Sequence, residues 1–152
     1  MKQIVSVILF TLFSLLAVSQ SAFAATDADK AFLDTYKKAY EAKDVSTLKS
    51  LLYTKDAHPE ALEFYSMMLT EDFSGKITSI ELKDLTPEEQ KEAVAVTQSP
   101  AGENIKLNLE PTKKLELKLD YSDANGTGSS TSGFFVALSD GKYVIPVPSL
   151  VK

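Results

Sequence analysis

The sequence predicts an α+β fold, in which helices come first along the chain and antiparallel strands follow. Apolar residues recur at helical spacing in the first half of the chain and alternate at strand spacing after Gly75. The helical and strand segments do not alternate along the chain, whereas in a parallel α/β fold they would. Cysteine is absent from the 152 residues, so packing rather than disulfides must hold the domain together.

The first 24 residues predict a secretory signal peptide. Lys2 precedes an apolar run over residues 4–18, and residues 22–24 (AFA) place small side chains where signal peptidase cuts. The run is shorter than the ~20 residues that a transmembrane helix needs. We therefore expect export to the periplasm or the medium, cleavage after Ala24, and one domain over residues 25–152 with no membrane anchor.

The charge of the chain argues against two classes of partner. All 16 basic residues are lysine, and the net charge is −5. Nucleic-acid binding depends largely on neutralising phosphates, and binding to an anionic membrane surface depends on basic amphipathic segments. We therefore expect neither nucleic acid nor an anionic membrane surface as a partner.

The first predicted helix spans residues 27–43, with Tyr36 and Tyr40 on its apolar face. Thr26, which has an acidic residue three positions later, is suited to cap its beginning. Asp44 can cap a second, shorter helix that follows directly.

A third helix is predicted from Pro59 to about Glu71, because proline suits the first turn of a helix. This segment is apolar over most of its circumference. We therefore expect it to be the most buried of the three helices.

A strand and a short helix are predicted next. Residues 76–85 alternate like a strand, and the alternation slips near Ser79, which indicates a β-bulge. The sequence from Thr86 to Glu89 combines a cap, a first-turn proline and a glutamate, so a helix should begin there and end by about Val94. Residues 97–104 are predicted to form a loop.

The last third of the chain predicts an antiparallel sheet. Apolar and charged residues alternate most clearly over residues 113–121, and Asp140-Gly141 is typical of a hairpin turn. The predicted strands are 105–109, 113–121, about 129–138 and 143–145.

Two segments, FLDTYKKAYEAKDVSTLKSLL (Phe32 to Leu52) and YTKDAHPEALEFYSMM (Tyr53 to Met68), resemble small exported bacterial proteins of unknown function. Those proteins belong to the nuclear-transport-factor-2-like superfamily, in which a long helix breaks at an acidic residue before a shorter one. The resemblance implies a cystatin-like cone, with N-terminal helices packed on a curled antiparallel sheet and a pocket between them. Some members use that pocket for catalysis, whereas others bind or dimerise. No active-site motif of the catalytic members matches this sequence.

His58 is the single histidine, and it lies between Asp56 and Glu60. An imidazole flanked by carboxylates can act as an acid or a base, or His58 could join both neighbours around a divalent metal. The simpler interpretation is that His58 occupies the cap position before Pro59, and the sequence favours that role. No metal or cofactor is predicted.

The candidate ligand-binding residues are Tyr36, Tyr40, Tyr65 and His58, whose polar groups could orient a small ligand in an apolar cavity. The alternative is that the tyrosines are core aromatics. The small residues 129–133 leave room beside the sheet.

We expect a non-catalytic protein that binds a small apolar ligand or a protein partner. One alternative is a pocket enzyme, of the isomerase, dehydratase or hydrolase type, that uses His58 or an inward-facing aspartate. Another is a structural or interaction module that forms a homodimer.

Overall fold

The structure is a computed structural model that describes residues 26–70, 73–124 and 126–152. The predicted signal peptide over residues 1–24 lies outside the described residues. The same holds for the predicted end of the third helix at Glu71.

Four helices are present in the described part of the chain. The helix predicted at Thr86 begins with a reciprocal cap, in which the Thr86 hydroxyl accepts from the Glu89 backbone N–H and the Glu89 carboxylate accepts from the Thr86 N–H. Thr26 and Asp29 form the same arrangement at the first helix, so both predicted caps are confirmed. The helices are α1 (Asp27–Glu41), α2 (Val45–Ser50), α3 (Pro59–Thr70) and α4 (Pro87–Ala93).

Eight strands lie in the described ranges: β1 (Leu52–Tyr53), β2 (Lys76–Asp84), β3 (Thr97–Gln98), β4 (Asn104–Leu107), β5 (Lys113–Asp123), β6 (Gly126–Ser139), β7 (Lys142–Pro146) and β8 (Pro148–Leu150). They form two sheets, one of five strands in the order β1-β7-β6-β5-β2 and one of three in the order β3-β4-β8. Strands β1 and β7 pair in parallel, and the other pairs between these eight strands are antiparallel. The register of β2 against β5 shifts between Ile77 and Ser79, which confirms the predicted bulge.

The five-stranded sheet has one face against the main core and one face largely polar. Along β5, Leu115, Leu117 and Leu119 are buried in the apolar cluster that includes the aromatic face of α1. Lys114 points to the opposite face, where its ammonium lies 2.7 Å from the Glu89 carboxylate of α4. The predicted α+β class is confirmed, with a mixed, open sheet.

The expectation that α3 is the most buried helix is wrong. Leu69 is its only buried residue, whereas Phe64, Met67 and Met68 are 52%, 45% and 48% exposed. The reason is position, because α1 packs against β2 and β7 while α3 packs mainly against α2. One side of an almost wholly apolar helix is therefore left uncovered.

Asn108 joins the two sheets. Its side-chain amide donates to the carbonyl oxygens of Tyr53 at 2.8 Å and Lys55 at 2.9 Å. Its side-chain oxygen accepts from the backbone N–H of Val147 at 2.9 Å, between β7 and β8. The three bonds use the full donor capacity of the amide and bind segments that lie far apart in the sequence.

Candidate binding site

Tyr36 and Tyr40, two of the predicted ligand-binding residues, are buried in the main core, 3% and 6% exposed. The Tyr40 hydroxyl donates to the carbonyl oxygen of Gly75 at 3.1 Å. Burial, with a smaller effect of the neighbouring Tyr40, raises the pKa of Tyr36 far above its usual range. Both rings therefore occupy the positions of core aromatics.

Tyr65 lies between α3 and the sheet. Its ring centroid is 6.3 Å from that of Phe64 and 6.5 Å from that of Phe134 on β6. Partial burial raises the pKa of its phenol. Tyr65 belongs to the same apolar cluster as Tyr36 and Tyr40, so the structure brings the three predicted tyrosines together as packing residues.

His58 directly precedes Pro59, and its backbone carbonyl accepts from the N–H of Leu62, as expected at the beginning of α3. Its imidazole is 12% exposed and points away from the helix towards Glu103, with Nε2 3.1 Å from a carboxylate oxygen of that residue. Glu103 is held in a tight turn by backbone and side-chain bonds to Ser99. The contact ties the turn before β4 to α3.

The inward-facing aspartate of the described chain is Asp29, which is 4% exposed. Its carboxylate accepts from the Lys113 ammonium at 3.0 Å and from the Thr26 hydroxyl at 2.9 Å. Burial alone would raise the pKa of Asp29, but the bonds from Lys113 and Thr26 together outweigh it and hold the pKa below its usual range. A carboxylate that is ionised and fully engaged in this way joins α1 to β5 rather than accepting a substrate proton.

A groove of about 440 Å³ lies between α1 and β7. Small side chains open it, because Ala28 and Ala31 stand on α1 where larger residues would fill the space, and Gly141 stands opposite. The rings of Phe32 and Tyr143 meet edge to face at its floor, 6.2 Å apart between centroids. Ligand sites typically have volumes of roughly 300–1,000 Å³ and a mostly apolar lining, and this groove has both properties.

The polar groups of the groove are few, and the hydroxyls of Thr35 and Ser50 already donate to backbone carbonyls of their own helices. Lys142 is exposed at its rim, on the strand that carries Tyr143. Burial and the nearby Asp29 carboxylate raise the pKa of the Tyr143 phenol, so the phenol stays neutral at physiological pH. The groove thus combines aromatic and aliphatic walls with one cation, which suits an apolar molecule with an anionic group.

A second cleft in the described residues is a poorer candidate, and a third, of about 570 Å³ beside Lys76, Asp120 and Ser129, is lined mostly by polar residues. The second cleft measures about 510 Å³ and is bordered by Asp56, Lys106 and Glu110, whose charges have both signs. Asn108 also lines it, but its side-chain atoms are already bonded within the protein.

The four predicted site residues do not line the groove. Within residues 26–70, 73–124 and 126–152, no cluster of three or more histidine, aspartate or glutamate side chains is arranged to hold a metal ion. The same ranges contain no helix that is both long and apolar enough to cross a membrane.

The sequence matches no protein-family model and no curated protein. Over 78% of its length the chain is similar in structure to the helical cell shape determining protein Pgp2 from Campylobacter jejuni, with 17% identity and a TM-score of 0.43. The similar region is 38% of the Pgp2 chain.

Proposed function

We propose that this chain is an exported, non-catalytic binding protein that holds a small amphipathic molecule in the groove between α1 and β7. The observation that carries the proposal is the apolar groove with a single cation, Lys142, at its rim. An acyl chain or ring would lie against Phe32 and Tyr143, and a carboxylate would reach the Lys142 ammonium. Apolar burial supplies most of the affinity in such a site, and the charge selects the orientation.

Two further parts of the proposal concern the superfamily of the fold and the export of the protein. The succession of two helices, a third helix and antiparallel strands supports membership of the nuclear-transport-factor-2-like superfamily, with its cystatin-like cone. The charged, apolar and small-residue segments over residues 1–24 support export with cleavage after Ala24.

Decanoate is a suitable probe for the groove. With about twelve non-hydrogen atoms at about −0.5 kcal/mol each, we expect a dissociation constant on the order of 10–100 µM by isothermal titration calorimetry. Ala31→Phe places a ring in the groove from an exposed position of α1, so binding should weaken at least about tenfold. Lys142→Ala should weaken decanoate binding by about two- to fivefold and leave decanol binding unchanged, because an exposed charge contributes little.

The control is Ala101→Phe, which adds the same ring at an exposed position in the turn before β4. It should bind decanoate like the wild type. Absence of saturable decanoate binding would refute the proposal, and equal binding by Ala31→Phe would place the site elsewhere.

A further inference from the structure

Strand β6 is paired along both edges for only part of its length. On one side, β5 accompanies it from Gly126 to Val136. On the other side, β7 pairs with it only over residues 137–139. Within the described residues, the backbone over 126–136 therefore has one edge with no strand partner.

The chemistry of this free edge is unusual. Residues 126–133 (GTGSSTSG) are all exposed, and none of them is charged. By contrast, the outer strand β2 carries Lys76, Glu81, Lys83 and Asp84. Natural proteins protect exposed edges with charges, prolines or short strands, and β2 follows that rule while the edge of β6 does not.

Helix α3 approaches the unpaired part of β6 through one aromatic contact. Tyr65 packs its ring on Phe134 of β6, and Phe64 packs on Tyr65. Phe64, Met67 and Met68 are spaced three and four residues apart, so they form one apolar stripe on the helix. The Tyr65–Phe134 contact thus brings the end of this stripe that carries Phe64 near the unpaired part of β6.

We propose that a second copy of this chain binds here, with the two β6 edges pairing antiparallel about a two-fold axis. An antiparallel edge is complementary to itself, because each copy supplies the N–H and C=O groups that the other lacks. Each chain has a net charge of −5, and the uncharged edge lets two such chains approach without facing like charges. The apolar stripes lie on the same side of the joined sheets and gain cover from the partner.

The size of the surface sets the strength of the dimer. The edge and the stripe contribute roughly a dozen residues from each copy, about half of the 20–30 that a standard interface has on each side. We therefore expect a weak dimer that dissociates on dilution, with a dissociation constant on the order of 10–100 µM.

Sedimentation velocity of the wild-type protein between about 2 and 500 µM tests the proposal. The mass should rise from that of one chain to that of two across this range. In Ser130→Lys/Ser132→Lys, lysines on the paired edges would face each other across the two-fold axis, so the protein should remain monomeric at about 500 µM. The matched control, Thr97→Lys/Gln98→Lys, adds the same charge to exposed strand β3 and should dimerise like the wild type.

Phe64→Ser/Met68→Ser probes the stripe without altering the edge, and we expect it to weaken the dimer about tenfold. Circular dichroism of each variant establishes that it is folded. A wild-type protein that is monomeric at about 500 µM would overturn the proposal and leave the edge available to an extended segment of a different protein. A dimer that persists in Ser130→Lys/Ser132→Lys would overturn it as well.

Discussion

Asn108→Ala should lower the free energy of unfolding by about 2–4 kcal/mol, measured by urea denaturation. The substitution removes three hydrogen bonds, to the carbonyls of Tyr53 and Lys55 and from the N–H of Val147. Val147 is fully buried, so its N–H would lose a partner where water has little access. A buried polar group without a partner costs about 1–3 kcal/mol, and the lost bonds add to that.

Asn108→Asp keeps a hydrogen-bond acceptor at this position but removes the two amide donors, so it tests the two kinds of bond separately. The new carboxylate can still accept from Val147, but it places negative oxygen against the carbonyls of Tyr53 and Lys55. We expect the free energy of unfolding at pH 7 to fall by at least as much as it does in Asn108→Ala. The neutral acid can donate one hydrogen bond, so its pKa should be raised in the folded state and the loss should shrink as the pH falls towards 4.

Asn104→Asp is the control, since it makes the same change at an exposed position of β4. It should alter the free energy of unfolding by less than about 0.5 kcal/mol. If Asn108→Ala lowers the free energy of unfolding by less than about 1 kcal/mol, the Asn108 hydrogen bonds between the two sheets contribute little to stability.

Local signals in the sequence were sufficient for the elements that depend on local chemistry. Both helix caps need only residues three positions apart, and the bulge near Ser79 appears as a slip in alternation. The two-residue strand β1 shows no such signal, because its parallel pairing with β7 joins Leu52 to Ile145. Its position depends on contacts that no local pattern encodes.

The burial of α3 was mispredicted for a related reason. An apolar composition states how much surface a helix could bury, whereas the amount buried depends on which other elements lie over it. Phe64, Met67 and Met68 remain exposed because α3 packs mainly against α2. The small-residue segment 129–133 is exposed and forms part of strand β6 itself.

The groove could not be found from the sequence. Ala28 and Ala31 are part of an ordinary helix pattern, and Tyr143 is more than a hundred residues further along the chain. Tyr36 and Tyr40 are aromatic residues with polar groups, but their spacing is that of a core-facing helix stripe. Small residues signal a cavity only when the surrounding elements are in place.

Lys113→Met should lower the free energy of unfolding by about 2–3 kcal/mol at pH 7. Removing one member of a buried ion pair leaves the other charge without compensation, which costs about 3–5 kcal/mol when both are fully buried. The Asp29 side chain is 6% exposed but that of Lys113 is 21% exposed, so solvent reduces the effect. The substitution should loosen the attachment of the beginning of α1 to β5.

The pH dependence of this stabilisation follows from the directions in which the pKa values of Asp29 and Lys113 are shifted. The pKa of Asp29 is lowered in the folded protein, so its contribution is present above its unfolded value of about 3.9 and is lost as the pH falls through the folded value. The hydrogen bond to Asp29 raises the pKa of Lys113 and outweighs the smaller, opposite effect of burial. That contribution is present below about pH 10.4 and is lost as the pH rises through the folded value.

The difference between wild type and Lys113→Met should therefore be constant between about pH 5 and pH 9 and should shrink below pH 4. Asp84→Asn is the control, because the exposed Asp84 carboxylate lies 4.0 Å from the same ammonium and should contribute less than about 0.5 kcal/mol. The double variant Asp29→Asn/Lys113→Met should recover most of the loss, since removing both charges leaves neither of them buried alone. A double variant as unstable as Lys113→Met would mean that the lysine stabilises the protein through packing of its aliphatic stem rather than through its charge.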